Sequence, residues 1–215
     1  MFKIYQSLLT NLINFKKVAL IFPSKKILKK KYGKKINNFK YVIRLNNSTT
    51  KKYHENVGSK TSLRILSNNF INKNKNQILP IINKEKLLFV SYEYLMKNTK
   101  KKLINLYKDN SVNFIDNRFF FFYIIFKSIS LHPIFSKLIF NHIFKNKRLS
   151  TGFVITLILI FYKIKPIFFG LDLKENMRFR SHYHKNEKVS VHHDLILEHK
   201  ILRILKRKKL ITVID

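Results

Sequence analysis

The sequence predicts an α/β fold: a single Rossmann-like domain in which a mostly parallel sheet is flanked by helices. Three observations carry this expectation. A short apolar run at residues 17–22 is followed by a basic helical turn at 24–31 and a branched run at 39–45, the strand, crossover and strand that open a parallel sheet. Residues 151–162 are apolar almost all round, as a helix buried between layers must be, and lead into a strand at 166–171. Near the end, Leu197, Ile201, Ile204 and Leu205 fall on one helical stripe while Arg203, Lys206 and Arg207 face outward. A last strand follows at 210–214.

The remaining elements follow in order. The basic turn at 24–31 is expected to stop near Gly33, where glycine ends a helix cheaply. Residues 62–147 carry no motif; they contain a strand at 87–90, a charged helix at 92–107 and an aromatic block at 119–126 between Arg118 and Lys127. That block reads as a core segment or an interfacial patch, because it is too short to span a bilayer. The run Asn72-Lys73-Asn74-Lys75-Asn76 reads as a solvated loop. The first 22 residues mix apolar side chains with Lys3, Lys16 and Lys17, and show neither a signal-peptide pattern nor an apolar run of about 18 residues, so no membrane anchor is expected.

Composition bounds the function only loosely. The chain has 215 residues, 46% of them hydrophobic, enough for one real core and against global disorder. A net charge of +33 raises the alternative of a basic RNA-binding or ribosome-associated protein, since Lys and Arg neutralise phosphates. The joint excess of Lys, Asn, Ile, Phe and Tyr with only 4 Gly, 4 Pro and no Trp also fits a biased genome, in which much of the lysine is solvated surface. Either way a positive field attracts an anionic nucleotide-sugar or an anionic membrane surface. The absence of cysteine excludes disulfides and thiolate metal sites and fits a reducing compartment.

Four groups of residues stand out in order. The first reads Tyr32-Gly33-Lys34-Lys35-Ile36-Asn37, then Val42-Ile43-Arg44-Leu45-Asn46, then Val57-Gly58-Ser59-Lys60-Thr61. The second is Ser150-Thr151-Gly152, an apolar run, and Phe168-Phe169-Gly170. Ser181-His182-Tyr183-His184 is the third, and His193-Asp194 with Glu198 the fourth. All four glycines of the chain lie within or beside these groups, where a side chain would not fit.

Taken together, the groups resemble the large, small, third and very small motifs of the animal-type sialyltransferase family. The resemblance implies the sialyltransferase variant of the GT-A type of fold. It implies an inverting glycosyltransferase that moves sialic acid, or a related nonulosonic acid, from a CMP-activated donor to a glycan hydroxyl. In that reading residues 17–66 and 148–215 of the single 1–215 domain carry donor binding and catalysis, and 67–147 the acceptor side. His193 matches the family's general base and His182 the histidine beside the donor phosphate. CMP-sialic acid is a donor substrate rather than a cofactor, and no obligatory metal and no specific nucleic acid are expected.

Two departures accompany the resemblance. The family's disulfide positions fall on Val18 and Lys163, so both partners are missing together, which favours cytoplasmic residence, with peripheral membrane contact, over a Golgi lumen. The asparagine that ends the family's first strand is replaced in Phe22-Pro23-Ser24: Pro23 has neither amide hydrogen nor amide side chain, and Ser24 alone survives. A catalytically inactive relative is therefore a third alternative.

Read on their own, these residues leave competing roles. Ser150, Thr151 and Gly152 begin a helix, whose N-terminus favours an anion, yet Ser150 is also an ordinary N-cap. Asn46 ends a strand, where α/β sheets place ligand contacts, and could equally be a turn residue. Arg44 is placed first as structural support, in a buried ion pair, and second as a donor contact. Five of the eight histidines lie between His182 and His199, suited to proton transfer or to metal binding; the family resemblance favours the former. Tyr183 would position the donor or pack beside a histidine. Glu198 lies five residues after His193, off its helical face, so it is expected to brace backbone, with Asp194 as N-cap.

Overall fold

The computed structural model describes residues 15–46, 48–67, 85–91, 95–115, 123, 124, 126, 127, 129–145, 147, 149–173 and 193–214. Its strands are β1 (Lys17–Ile21), β2 (Val42–Leu45), β3 (Leu63–Ser67), β4 (Leu87–Val90), β5 (Val112–Ile115), β6 (Lys165–Phe169) and β7 (Thr212–Ile214). Helices are α1 (Gly33–Asn37), α2 (His54–Val57), α3 (Lys97–Leu106), α4 (Ile134–Phe144), α5 (Thr151–Phe161) and α6 (Leu195–Arg207), with a 3-10 helix at Lys25–Lys29. The seven strands form one sheet in the order β5-β4-β3-β2-β1-β6-β7. Every pairing is parallel.

Parallel strands covered on both faces must be apolar at successive positions, and β4 is buried along its whole length. The pleat then sorts side chains by face. Val18 and Leu20 of β1, with Ile43, Leu45, Leu63 and Ile65, join the core covered by α4, α5 and α6. Ala19, Ile21 and Val42 face the opposite way, against Ile27 of the 3-10 helix, Ile36 of α1 and Val57 of α2. On that same face α3 covers Leu66, Leu87 and Phe89.

Most predicted elements are present with edges moved by a few residues. The basic turn is a 3-10 helix ending at Lys29, and Gly33 begins α1 rather than closing the element before it. Glycine is needed there for contact: a Cβ on Gly33 would lie 2.1 Å from the His54 carbonyl oxygen of α2. Five elements appear that the sequence reading lacked, namely α1, α2, β3, β5 and α4. The aromatic block at 119–126 lies largely outside the described residues. Among the described residues no helix is long and apolar enough to cross a membrane.

Candidate active site

The sheet places the site. The chain moves outward from β1 through β2, β3, β4 and β5, then returns to the other side of β1 for β6 and β7. Strand order therefore reverses between β1 and β6, and ligands of open α/β sheets bind beyond the carboxyl ends of strands at such a point. The predicted Ser24, Asn46 and Gly170 follow β1, β2 and β6 at that edge.

Two helices begin over the same edge. Helix α5 starts on Ser150, whose Oγ accepts the Phe153 amide at 3.3 Å. An ideal Cβ on Gly152 would lie 2.6 Å from the Phe22 ring and 3.1 Å from Leu45, so the first turn of α5 rests on the residues that end β1 and β2. Gly152→Ala is expected to destabilise the fold by about 1–3 kcal/mol, since the Phe22 ring must move to admit the methyl group. A thermal melt checks it; a variant more stable than the parent would show that the contact is slack.

Helix α6 starts on Asp194, whose carboxylate accepts the Leu197 amide at 3.1 Å, the predicted N-cap. The other Asp194 oxygen accepts from Asn141 Nδ2 of α4 at 2.6 Å. Asn141 escaped the sequence reading; its signal was a lone buried amide in the apolar stretch that forms α4. His193 immediately precedes this cap and is half-buried.

The two helix starts are joined by Glu198. Its Oε1 accepts the Ser150 amide at 2.6 Å, and its Oε2 lies 2.5 Å from Ser150 Oγ. This carboxyl is 1% exposed. Burial pushes it up to about 8 from the ordinary 4.5; the two Ser150 hydrogen bonds pull the other way, and the nearby Asp194 charge raises it further.

Several predicted contacts are shaped by structural duties. Asn46 has φ 47°, a left-handed conformation that asparagine tolerates. Its amide donates to Ile65 O at 2.7 Å, and its side-chain Oδ1 accepts the Ser67 amide at 3.0 Å. Only the Nδ2 donor half of that side chain is left without a hydrogen bond among the described residues, which suits an acceptor-rich ligand. The Ser24 hydroxyl donates to the Gly170 carbonyl and ties the ends of β1 and β6 together.

Arg44, expected as structural support, fastens the loop that follows α2. Its guanidinium is held by backbone carbonyls: Nη2 donates to Val57 O at 2.8 Å, Gly58 O at 3.0 Å and Lys60 O at 3.0 Å, and Nε to Thr61 Oγ1 at 3.0 Å. Asn37 Oδ1 accepts the amides of Ser59 and Lys60 at 2.9 and 3.1 Å. Most of the first motif group thus fastens one loop beneath the sheet. A second buried arginine, Arg64, was missed; it binds Glu85 and the carbonyls of Asn46 and Ser48. Ser24, Asn46, Ser150, Thr151, Gly152, His193 and Glu198 therefore share the carboxyl edge, with Arg44 turned beneath it. His182 and Tyr183 lie outside the described residues.

Comparisons with known proteins agree with this fold. The sequence pattern of Glycosyltransferase family 29 (sialyltransferase) matches residues 13–210. No curated protein matches the sequence directly. The fold is similar to a mammalian sialyltransferase crystallised with Gal-beta-1-3GalNAc-ortho-nitrophenol, with a TM-score of 0.59 at 16% identity over 95% of this chain and 71% of that one. A Campylobacter jejuni sialyltransferase in complex with cytidine-5'-monophosphate gives 0.55 at 16% identity, over 92% and 78%. The monofunctional alpha-2,3-sialyltransferase of the same organism gives 0.52 at 16%, over 93% and 75%.

Proposed function

Because the chain belongs to glycosyltransferase family 29, the sialyltransferases, we propose that the edge shared by Ser150 and His193 transfers sialic acid, or a related nonulosonic acid, from CMP to a glycan hydroxyl. The observation that carries the reading is the junction of two helix starts at the strand-order reversal, one presenting Ser150-Thr151-Gly152 and the other His193. The α5 terminus combines unpaired amides with the positive end of a helix dipole, which suits the donor's phosphate or carboxylate. Asn46 Nδ2 adds a donor from the end of β2.

His193 acts as general base. It takes the proton of the acceptor hydroxyl as that oxygen attacks the anomeric carbon, and the bond to the phosphate oxygen of CMP breaks in the same displacement, inverting the centre. His182 stabilises the departing phosphate by the family resemblance. Residues 67–147 supply the acceptor side, and the net positive charge draws in the anionic donor. Family membership does not favour the basic RNA-binding alternative.

The test is transfer and hydrolysis of CMP-sialic acid by the purified protein, alongside CMP binding. His193→Ala is expected to lower the transfer rate about 10²- to 10⁴-fold while CMP still binds. A parent protein that binds CMP but never transfers would be an inactive relative, with Pro23 the first residue to revert to asparagine. One that neither binds CMP nor turns over the donor would overturn the reading.

A further inference from the structure

Ser150 Oγ carries a single hydrogen and two acceptor positions. One position takes the Phe153 amide, and Glu198 Oε2 stands 2.5 Å away. Ionised, Glu198 can only accept, so the hydroxyl hydrogen must point into it. Protonated on Oε2, the same carboxyl donates to Oγ, its Oε1 still accepts the Ser150 amide, and the hydroxyl hydrogen is released to bond something else. The two states also differ by one full negative charge beside a helix start suited to anions.

We infer that Glu198 is a positioning residue whose protonation decides whether the Ser150 hydroxyl donates to the bound donor's anionic group or back into α6. This rests on the donor site proposed above and extends it: donor binding is coupled to uptake of a proton by a carboxyl that touches no substrate. Burial already favours the neutral acid near neutral pH. Among the neighbours, Asp194 on α6 acts in the same direction. Helix α5 has no titratable side chain from Thr151 to Phe161, Lys137 of α4 faces solvent, and Lys145 and Lys147 lie between α4 and α5. His199, beside Glu198 on α6, is buried.

Glutamine is the diagnostic substitution, because its amide accepts from the Ser150 N–H and donates to Oγ at every pH. The affinity for CMP is measured between about pH 7 and about pH 9, where the phosphate is already a dianion, its second pKa being about 6. The parent's Kd is expected to rise up to about tenfold across that range, the limit for one linked proton on a carboxyl that titrates at about 8 and the worth of one hydrogen bond to a charged group. In Glu198→Gln the rise disappears and the tighter binding persists. Ser150→Ala, which keeps the carboxyl and removes the hydroxyl, is expected to bind more weakly with a shallower rise. Calorimetry of the parent in buffers of different ionisation enthalpy should show a proton taken up with CMP near the upper end. Equal pH slopes for parent and Glu198→Gln, or no linked proton in the parent if that variant fails to fold, would overturn the inference. A parent that binds no CMP at any pH would instead overturn the proposed function.

Discussion

Arg44→Met is expected to lower the unfolding free energy by about 3–5 kcal/mol, because a fully buried fork of donors is replaced by a side chain of similar length that has none. The carbonyls of Val57 and Gly58 accept from this guanidinium inside the protein, and their desolvation is no longer compensated once it is gone. For a chain of this size that corresponds to a fall in Tm of roughly 10 °C. Arg44→Lys recovers little, since a single ammonium cannot span carbonyls from Val57 to Lys60. Arg44 alternates along β2 with Ile43 and Leu45, which face α5, so its own side chain lies on the opposite side from the helix start that holds the site. CMP affinity at low temperature should therefore survive in the folded fraction. An unchanged Tm would mean that these carbonyls are hydrated once the arginine is removed.

That arginine also marks how far the sequence can be read. Strands β1, β4 and β6 were legible because both sides of a central parallel strand are buried, which leaves an apolar run. Strand β2 was legible from the branched residues around Arg44, and β7, a partly buried edge strand, from the apolar residues that follow α6. Strand β3 has the same burial but carries Arg64 at its second residue, which breaks the run. Its charge is neutralised by Glu85, 21 residues away, at an Nε to Oε2 distance of 2.5 Å, a pairing that local pattern cannot show. Strand β5 is a half-buried edge with Asn113 in its middle, and it falls below any apolar signal.

The site divides along the same line. Ser150 and Asp194 were recognisable as caps because capping is local, each side chain reaching an amide three residues ahead. The bond from Glu198 to Ser150 joins positions 48 residues apart, and the one from Asn141 to Asp194 joins positions 53 apart. The spacing of His193 and Glu198 could exclude their sharing a helical face, yet only the fold could say which backbone the carboxyl supports. Ser24 and Asn46 show the converse: residue type pointed to ligand contacts, while tertiary structure directs part of each side chain to a carbonyl or an amide of a neighbouring strand end.

The stability of the protein should fall as pH rises from about 5 to about 8, and Glu198→Gln should remove that component. The folded protein keeps the Glu198 proton up to about 8, whereas the unfolded chain releases it near the ordinary 4.5. Across this window the folded state binds more protons, so each step upward in pH favours unfolding. Below the window the contribution is intact, and above it the loss is complete, on the order of a few kcal/mol. Denaturant melts of parent and variant should therefore converge near the acid end and separate toward the alkaline end, with the glutamine protein the more stable there. Parallel curves would show that Glu198 is ionised throughout. A carboxyl that weakens the fold in its charged form while fastening the start of the helix proposed to hold the donor is the kind of strained group that functional sites retain. Because CMP binding is proposed to favour the protonated form, a fixed concentration of CMP should stabilise the parent least at the alkaline end, where its Kd is highest, and should stabilise Glu198→Gln equally at every pH.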